Sequence, residues 1–234
     1  MHHISFAGRR FRVLPGRALF WPERQALLVA DLHLEKASWF AGHGQMLPPY
    51  DSIATLTRLL ALAEACDAQE IWALGDSFHD AIGPERLPDA ALALLDRLAQ
   101  GRRIIWIAGN HDGAATLPGE RVEEQRFDGL VLRHEAEHTE TEAEISGHFH
   151  PKLRLTAGGR TVARPCFVLS SSRLILPAFG TLTGGLDAHS APILSVVGPS
   201  AEAIVPSETR LMRFPLRPQL LRPHRAAQPR RARR

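Results

Sequence analysis

The stretch GHFHP, residues 147 to 151, sets two imidazoles, His148 and His150, one residue apart between a glycine and a proline. In a Gly-started, Pro-ended turn both rings can converge on one point. Neutral imidazole is a common metal ligand, so the remaining donors of a metal site can be sought along the chain. Asp31 and His33 lie in DLH, Asp76 in GDSFHD, Asn110 in GNHD and His134 in LVLRHE. A mononuclear zinc site takes about four ligands. Seven candidates suffice for two metals that share one bridging carboxylate. A mixture of imidazole and carboxylate favours manganese, iron or zinc over the all-oxygen sites of magnesium or calcium.

Donors this far apart in sequence meet only if regular elements deliver them. Each of the first four expected strands ends in a ligand-type residue. RQALLVADLHL predicts a buried strand over residues 26–30, running into Asp31. EIWALGD predicts one over 71–74, running into Gly75-Asp76. RRIIWIAGNHD predicts a third, and GLVLRHE a fourth that ends near His134. In layered α/β proteins, sites collect at the carboxyl ends of strands. Helices are expected in PPYDSIATLTRLLALAEACD, with Asp51 as N-cap and Ile53, Leu56, Leu60 and Ala63 on one face, and in PDAALALLDRLAQG, with Asp89 as cap and Gly101 as stop. After His150 the pattern changes. A hairpin turning at Gly158-Gly159 is expected, then further strands in RLILPAF, APILSVVG and EAIVP. Alternation first and consecutive strands later predict a mixed α/β architecture, with two packed sheets and helices outside.

Length and composition suit this. The chain has 234 residues, 44% hydrophobic and 23% charged, ordinary for a globular protein. No apolar run reaches the ~20 residues of a membrane span, and MHHISFAGRR lacks the apolar core of a secretory signal. Cys66 and Cys166 are isolated, so a reducing, cytoplasmic setting and no membrane association are expected. The net charge of +3 is uneven: Arg213 to Arg234 holds eight arginines and no acid, leaving −5 on the rest. A single domain over residues 1–212 and a disordered basic tail over 213–234 are expected. The tail is either solubilising or a contact for nucleic acid or another polyanion.

Taken in order, DLH, GDSFHD, GNHD, His134 and GHFH resemble the calcineurin-like metallophosphoesterase superfamily. The resemblance implies a four-layer αββα sandwich, with two mixed sheets flanked by helices, and a dinuclear centre. It implies that Asp31, His33, Asp76 and His150 hold one divalent metal, that Asp76, Asn110, His134 and His148 hold the other, and that Asp76 is the bridge. Manganese is the expected ion, with iron or zinc as alternatives. A metal-bridging hydroxide would attack phosphorus in line, and His111 would protonate or stabilise the leaving oxygen. Asp112 would either orient His111 for that role at the substrate or serve only its turn.

The superfamily commonly carries an acid three residues after the aspartate of Gly-Asp; this chain has His79. That version resembles the double-strand-break repair nucleases, which makes His79 a second catalytic candidate. LLVADLHLEKASWF, ALGDSFHD, WIAGNHD, SGHFHPKLRL and LILPAFGTLTGGLD resemble the bacterial ligase-associated DNA damage response endonucleases over most of the chain. That resemblance implies a DNA phosphodiesterase working beside an ATP-dependent ligase, a helicase and an exonuclease. The alternative is a small-molecule phosphoesterase acting on cyclic nucleotides or nucleotide phosphoesters. Lys36 is a candidate phosphate contact or a solvated lysine. Trp39 and Phe40 are an apolar loop plug or a stacking surface for an unpaired base. The acidic run HEAEHTETEAE is expected to be a solvated face.

Overall fold

Three strands precede the first one expected from the sequence. β1 (His3–Phe6), β2 (Arg9–Leu14) and β3 (Ala18–Trp21) form an antiparallel meander, and β4 (Ala26–Val29) joins it antiparallel. The chain then crosses through α1 (Lys36–Gly42) and α2 (Asp51–Ala65) to β5 (Glu70–Leu74), and through α3 (Asp89–Ala99) to β6 (Arg103–Ile107) and β7 (Glu120–Val122). From β4 to β7 the pairs are parallel, and the sheet runs β1 to β7 in sequence order. The coordinates are a computed structural model and describe residues 2–113 and 117–216.

The second half builds another seven-stranded sheet. Its chain order is β8 (Gln125–Phe127), β9 (Leu130–Leu132), β10 (Ala143–Ser146), a separate hairpin of β11 (Lys152–Ala157) and β12 (Arg160–Pro165), then β13 (Phe167–Leu169), β14 (Arg173–Ile175), α4 (Ala191–Val197), β15 (Glu202–Pro206) and β16 (Leu211–Pro215). The sheet order is β16-β15-β13-β14-β10-β9-β8, parallel only where β10 meets β9 and β14.

Side-chain alternation explains the layering. Leu27, Val29, Ile71, Ala73, Ile104 and Trp106 pack against Leu56, Leu59, Leu95 and Leu98 of α2 and α3. Their neighbours Leu28, Trp72, Leu74, Ile105 and Ile107 face Leu130, Leu132, Ile145, Phe167 and Leu174 of the second sheet. The far face of that sheet buries Val168, Ile175, Ala203 and Val205 against Ile193 and Val197 of α4. Strands covered on both sides read as unbroken apolar runs, as β4, β5 and β6 do. The result is the expected αββα sandwich of two mixed sheets.

Some elements differ from expectation. APILSVVG is helix, not strand. Ser190 precedes it, Pro192 sits in its first turn and Gly198 closes it at φ 78°, while Ile193 and Val197, four apart, are the buried pair. These helix signals outweigh its β-branched content. Asp51 opens α2 rather than capping it, and its carboxylate accepts the N–H of Ala37 (3.1 Å), which ties down α1. The domain boundary placed at Arg213 falls inside β16, where Arg213, Phe214 and Pro215 pair with Ile204, Ala203 and Glu202. Leu216 is buried, and the rest of the expected tail lies outside the described residues. The acidic run is not only a solvated face: Glu144 is fully buried between Arg173 (2.6 Å) and Arg133 (3.0 Å), and Glu140 holds Arg126 (2.8 Å). Arg126 and Arg173 come from β8 and β14, so the run by itself did not show these partners, while Arg133 directly precedes it. Among the described residues, no helix is long and apolar enough to cross a membrane.

Cys166 is fully buried, and burial pushes its thiol up to about 12; Cys66 is half-buried. The protonated thiol is the unreactive form. Titration of the native protein with a disulfide reagent at pH 8 should therefore count one thiol, Cys66, and unfolding should release the second. Two reactive thiols in the native state would contradict the packing around Cys166.

Candidate metal centre

The carboxyl ends of β4, β5, β6, β9 and β10 meet at one rim of the sandwich. Parallel register aligns the first sheet there: Asp31 N–H donates to the Gly75 carbonyl (3.2 Å) and His33 N–H to the Asp76 carbonyl (2.9 Å). In the second sheet, Gly147 N–H donates to the carbonyl of His134 (2.9 Å). The glycines before Asp76, Asn110 and His148 make room for neighbours. A Cβ on Gly75 would collide with the His134 ring, and one on Gly109 with the backbone and carboxylate of Asp76.

Two clusters result, Asp31 with His33 and His150, and Asp76 with His134 and His148. His150 Nε2 lies 3.4 Å from Asp31 Oδ1 and 3.2 Å from His33 Nε2. His134 Nε2 lies 3.4 Å from Asp76 Oδ1 and 3.1 Å from His148 Nδ1. The second oxygen of Asp76, Oδ2, faces the first cluster, 3.8 Å from His33 Nε2. One carboxylate thus presents an oxygen to each group. Asp31 also accepts the His148 N–H on both oxygens (3.1 Å each). This answers how GHFHP works: His148 and His150 both adopt left-handed backbone, with φ of 69° and 46°, and their rings turn to the centre while Phe149 is buried.

The donor set fits divalent cations. Nitrogens ~2.0–2.1 Å from a shared ion lie roughly 3–3.4 Å from each other, the separation seen in both imidazole pairs. Each ring of one pair is fixed from behind. His134 Nδ1–H donates to the Leu74 carbonyl (3.1 Å), and His148 Nε2 meets the Glu135 carboxylate (3.4 Å). Those partners leave the facing nitrogens bare toward each other, an arrangement that needs a positive charge between them. Without a metal, a proton supplies it: burial works against the charge on His134, but the Asp76 and Asp31 carboxylates outweigh burial and raise its pKa to about 9. On the other side, burial and then His150 hold His33 well below the ordinary imidazole range, and its Nδ1 is buried without a partner.

The remaining candidates surround the clusters. Asn110 is exposed at the strand-end turn, between Gly109, which abuts Asp76, and His111, whose N–H donates to Asp76 Oδ1 (3.0 Å). The His111 ring is open to solvent, with Nε2 3.9 Å from Asp76 Oδ2. His79 stacks on it at 5.8 Å and lies 5.6 Å from His33. Trp39 and Phe40 flank His79 at 5.0 and 5.9 Å. Lys36 opens α1, half-buried, with Phe40 6.0 Å from its ammonium. The Asp112 oxygens accept the N–H groups of Phe78 and Gly109 (3.0 Å each), the contacts expected of a turn residue. Sequence reasoning missed Glu135, because the residue it steadies is 13 positions away.

A family model described as calcineurin-like phosphoesterase matches residues 25–171. Among solved structures, a Pseudomonas putida nuclease MPE is 30% identical with a TM-score of 0.69, over 86% of this chain and 94% of that one. A phosphoesterase from E. coli, Yfce, is 15% identical with a TM-score of 0.41, over 82% of this chain and 98% of that one. No curated protein matches.

The Gly109 contact makes a prediction. In Gly109→Ala the new methyl must displace Asp76, so metal affinity should fall about 10–100-fold and stability by about 1–3 kcal/mol. Calorimetric titration with manganese and thermal melts measure both. Wild-type affinity in this variant would contradict the arrangement around Asp76.

Proposed function

The chain belongs to the calcineurin-like phosphoesterase family and is a metal-dependent phosphoesterase; from that premise we propose that it is a DNA endonuclease working through two divalent cations. The observation that carries the reading is the split of Asp76, with Oδ1 toward His134 and Oδ2 toward His33, which suits one carboxylate shared by two ions. Asp31, His33, Asp76 and His150 would hold one cation, and Asp76, Asn110, His134 and His148 the other. Bound there, the cations would supply Lewis-acid charge to the phosphate oxygens and acidify a water, with manganese the proposed ion.

The chain's own groups do the rest. His111 stands open to solvent beside Asp76 and hands a proton to the leaving oxygen. His79, stacked on it, fixes the His111 ring and lies on the substrate side. Burial, then Lys36 and His111, keep the His79 pKa below the ordinary imidazole range. Nucleic acid as substrate is supported by the 30% identical nuclease and by His79 in GDSFHD. A place in DNA repair beside a ligase rests on the wider resemblance of the sequence.

A chelator should abolish hydrolysis, and manganese should restore it. With manganese, the protein should nick plasmid or cut single-stranded oligonucleotides. Asn110→Ala and His111→Ala should each lose about 100-fold or more in kcat with unchanged circular dichroism. Full activity in both variants would sink the site assignment. Hydrolysis of cyclic nucleotides with none of DNA would replace the nuclease reading with the small-molecule one.

A further inference from the structure

Beside the donor clusters, basic side chains from three separate elements converge on one loop. Arg17, in the turn between β2 and β3, donates from Nη1 to the carbonyls of Ala178 and Gly180 (3.4 Å each). Arg58 of α2 donates to the carbonyl between them, Phe179, and its guanidinium lies 4.2 Å from the Phe179 ring centroid. Lys152, at the start of β11, donates to the Thr183 carbonyl (3.2 Å). The loop borders the metal centre: Phe179 N–H donates to Ala30 (2.8 Å) and Gly180 N–H to Asp31 (3.1 Å). Lys152 is two residues beyond His150.

Arg133, Arg173, Arg126, Arg86 and Arg103 are matched to carboxylates, whereas Arg17, Arg58 and Lys152 are among the basic residues that take part in no ion pair among the described residues. Arg17 and Arg58 rest on neighbouring carbonyls of one loop, and burial and then Arg17 push Arg58 down to about 10. Holding like charges together without an acid costs free energy that an anion would return. Donors are spare: of each guanidinium's nitrogens, only one is in a hydrogen bond.

We infer that Arg17, Arg58 and Lys152 form a second phosphate site, which grips the backbone phosphate next to the one being cleaved. The inference rests on the nuclease reading. It gives the enzyme a means to prefer a polymer over a lone phosphodiester, since only a polymer offers a neighbouring phosphate.

Kinetics of the manganese-loaded full chain test it. In Arg17→Gln and Lys152→Gln, KM for a 20-nucleotide single strand should rise about tenfold with kcat within about twofold. The slope of log KM against log salt should flatten by about 0.7 per charge removed. Hydrolysis of bis-p-nitrophenyl phosphate, which has one phosphate, should change less than about twofold, and Arg17→Lys should keep most of the affinity for the strand. Unchanged KM and salt slope on the oligonucleotide would overturn the site. So would equal losses on both substrates, which would make these residues loop pins only. A wild-type enzyme that cleaves the small diester and no oligonucleotide would overturn the nuclease reading itself, and the second site with it.

Discussion

Two carboxylates, Asp31 and Asp76, are buried where the ends of the two sheets meet. An uncompensated charge in such a place costs several kcal/mol, so the surrounding structure is organised to balance it. Asp31 takes two contacts from the His148 N–H and faces the imidazole of His150; Asp76 takes the His111 N–H and faces His134 and His33. Even so, the backbone donors and neutral rings leave a deficit of positive charge. The Asp76 and Asp31 carboxylates answer part of it by raising the His134 pKa to about 9, against the effect of burial.

Meeting that demand strains the backbone. Asp31, His33, Asp76, His148 and His150 all adopt positive φ, between 42° and 69°, a conformation that costs a residue with a side chain roughly 1 kcal/mol. Five such residues are tolerable only because the sandwich over-determines them. The strands that lead into them are buried on both faces, and the 178–180 segment ties the two sheets together at Ala30 and Asp31. The strain aims donors that a relaxed strand end would send elsewhere. The same tie places the carbonyls on which Arg17 and Arg58 rest, so these two arginines and Asp31 are positioned by one piece of backbone.

The central part of the fold was legible because its physics is local. β4, β5 and β6 are apolar runs that end in Asp31, Gly75-Asp76 and Gly109-Asn110, and α2 and α3 carry apolar faces with clear stops. β1 to β3 were missed because they are only four to six residues long and β2 sets three arginines among its apolar positions, which blurs the alternation. α4 was misread because a seven-residue stretch with four of Ile, Leu and Val suits either element until Pro192 and Gly198 are given their weight. Asp112 stayed ambiguous because an aspartate that pins a turn and one that orients a histidine have the same sequence.

By itself the sequence determined the donor types, their order and the family, since a glycine before a ligand at the end of an apolar strand is a local requirement that leaves a local mark. Tertiary structure alone decided which donors face each other, which oxygen of Asp76 serves which cluster, that Glu135 backs His148, and that Arg17, Arg58 and Lys152 share a loop. Those facts depend on how two sheets are packed face to face with their strand ends at one rim. Pairings between side chains far apart in the chain are fixed by that packing, and no short stretch of residues encodes them.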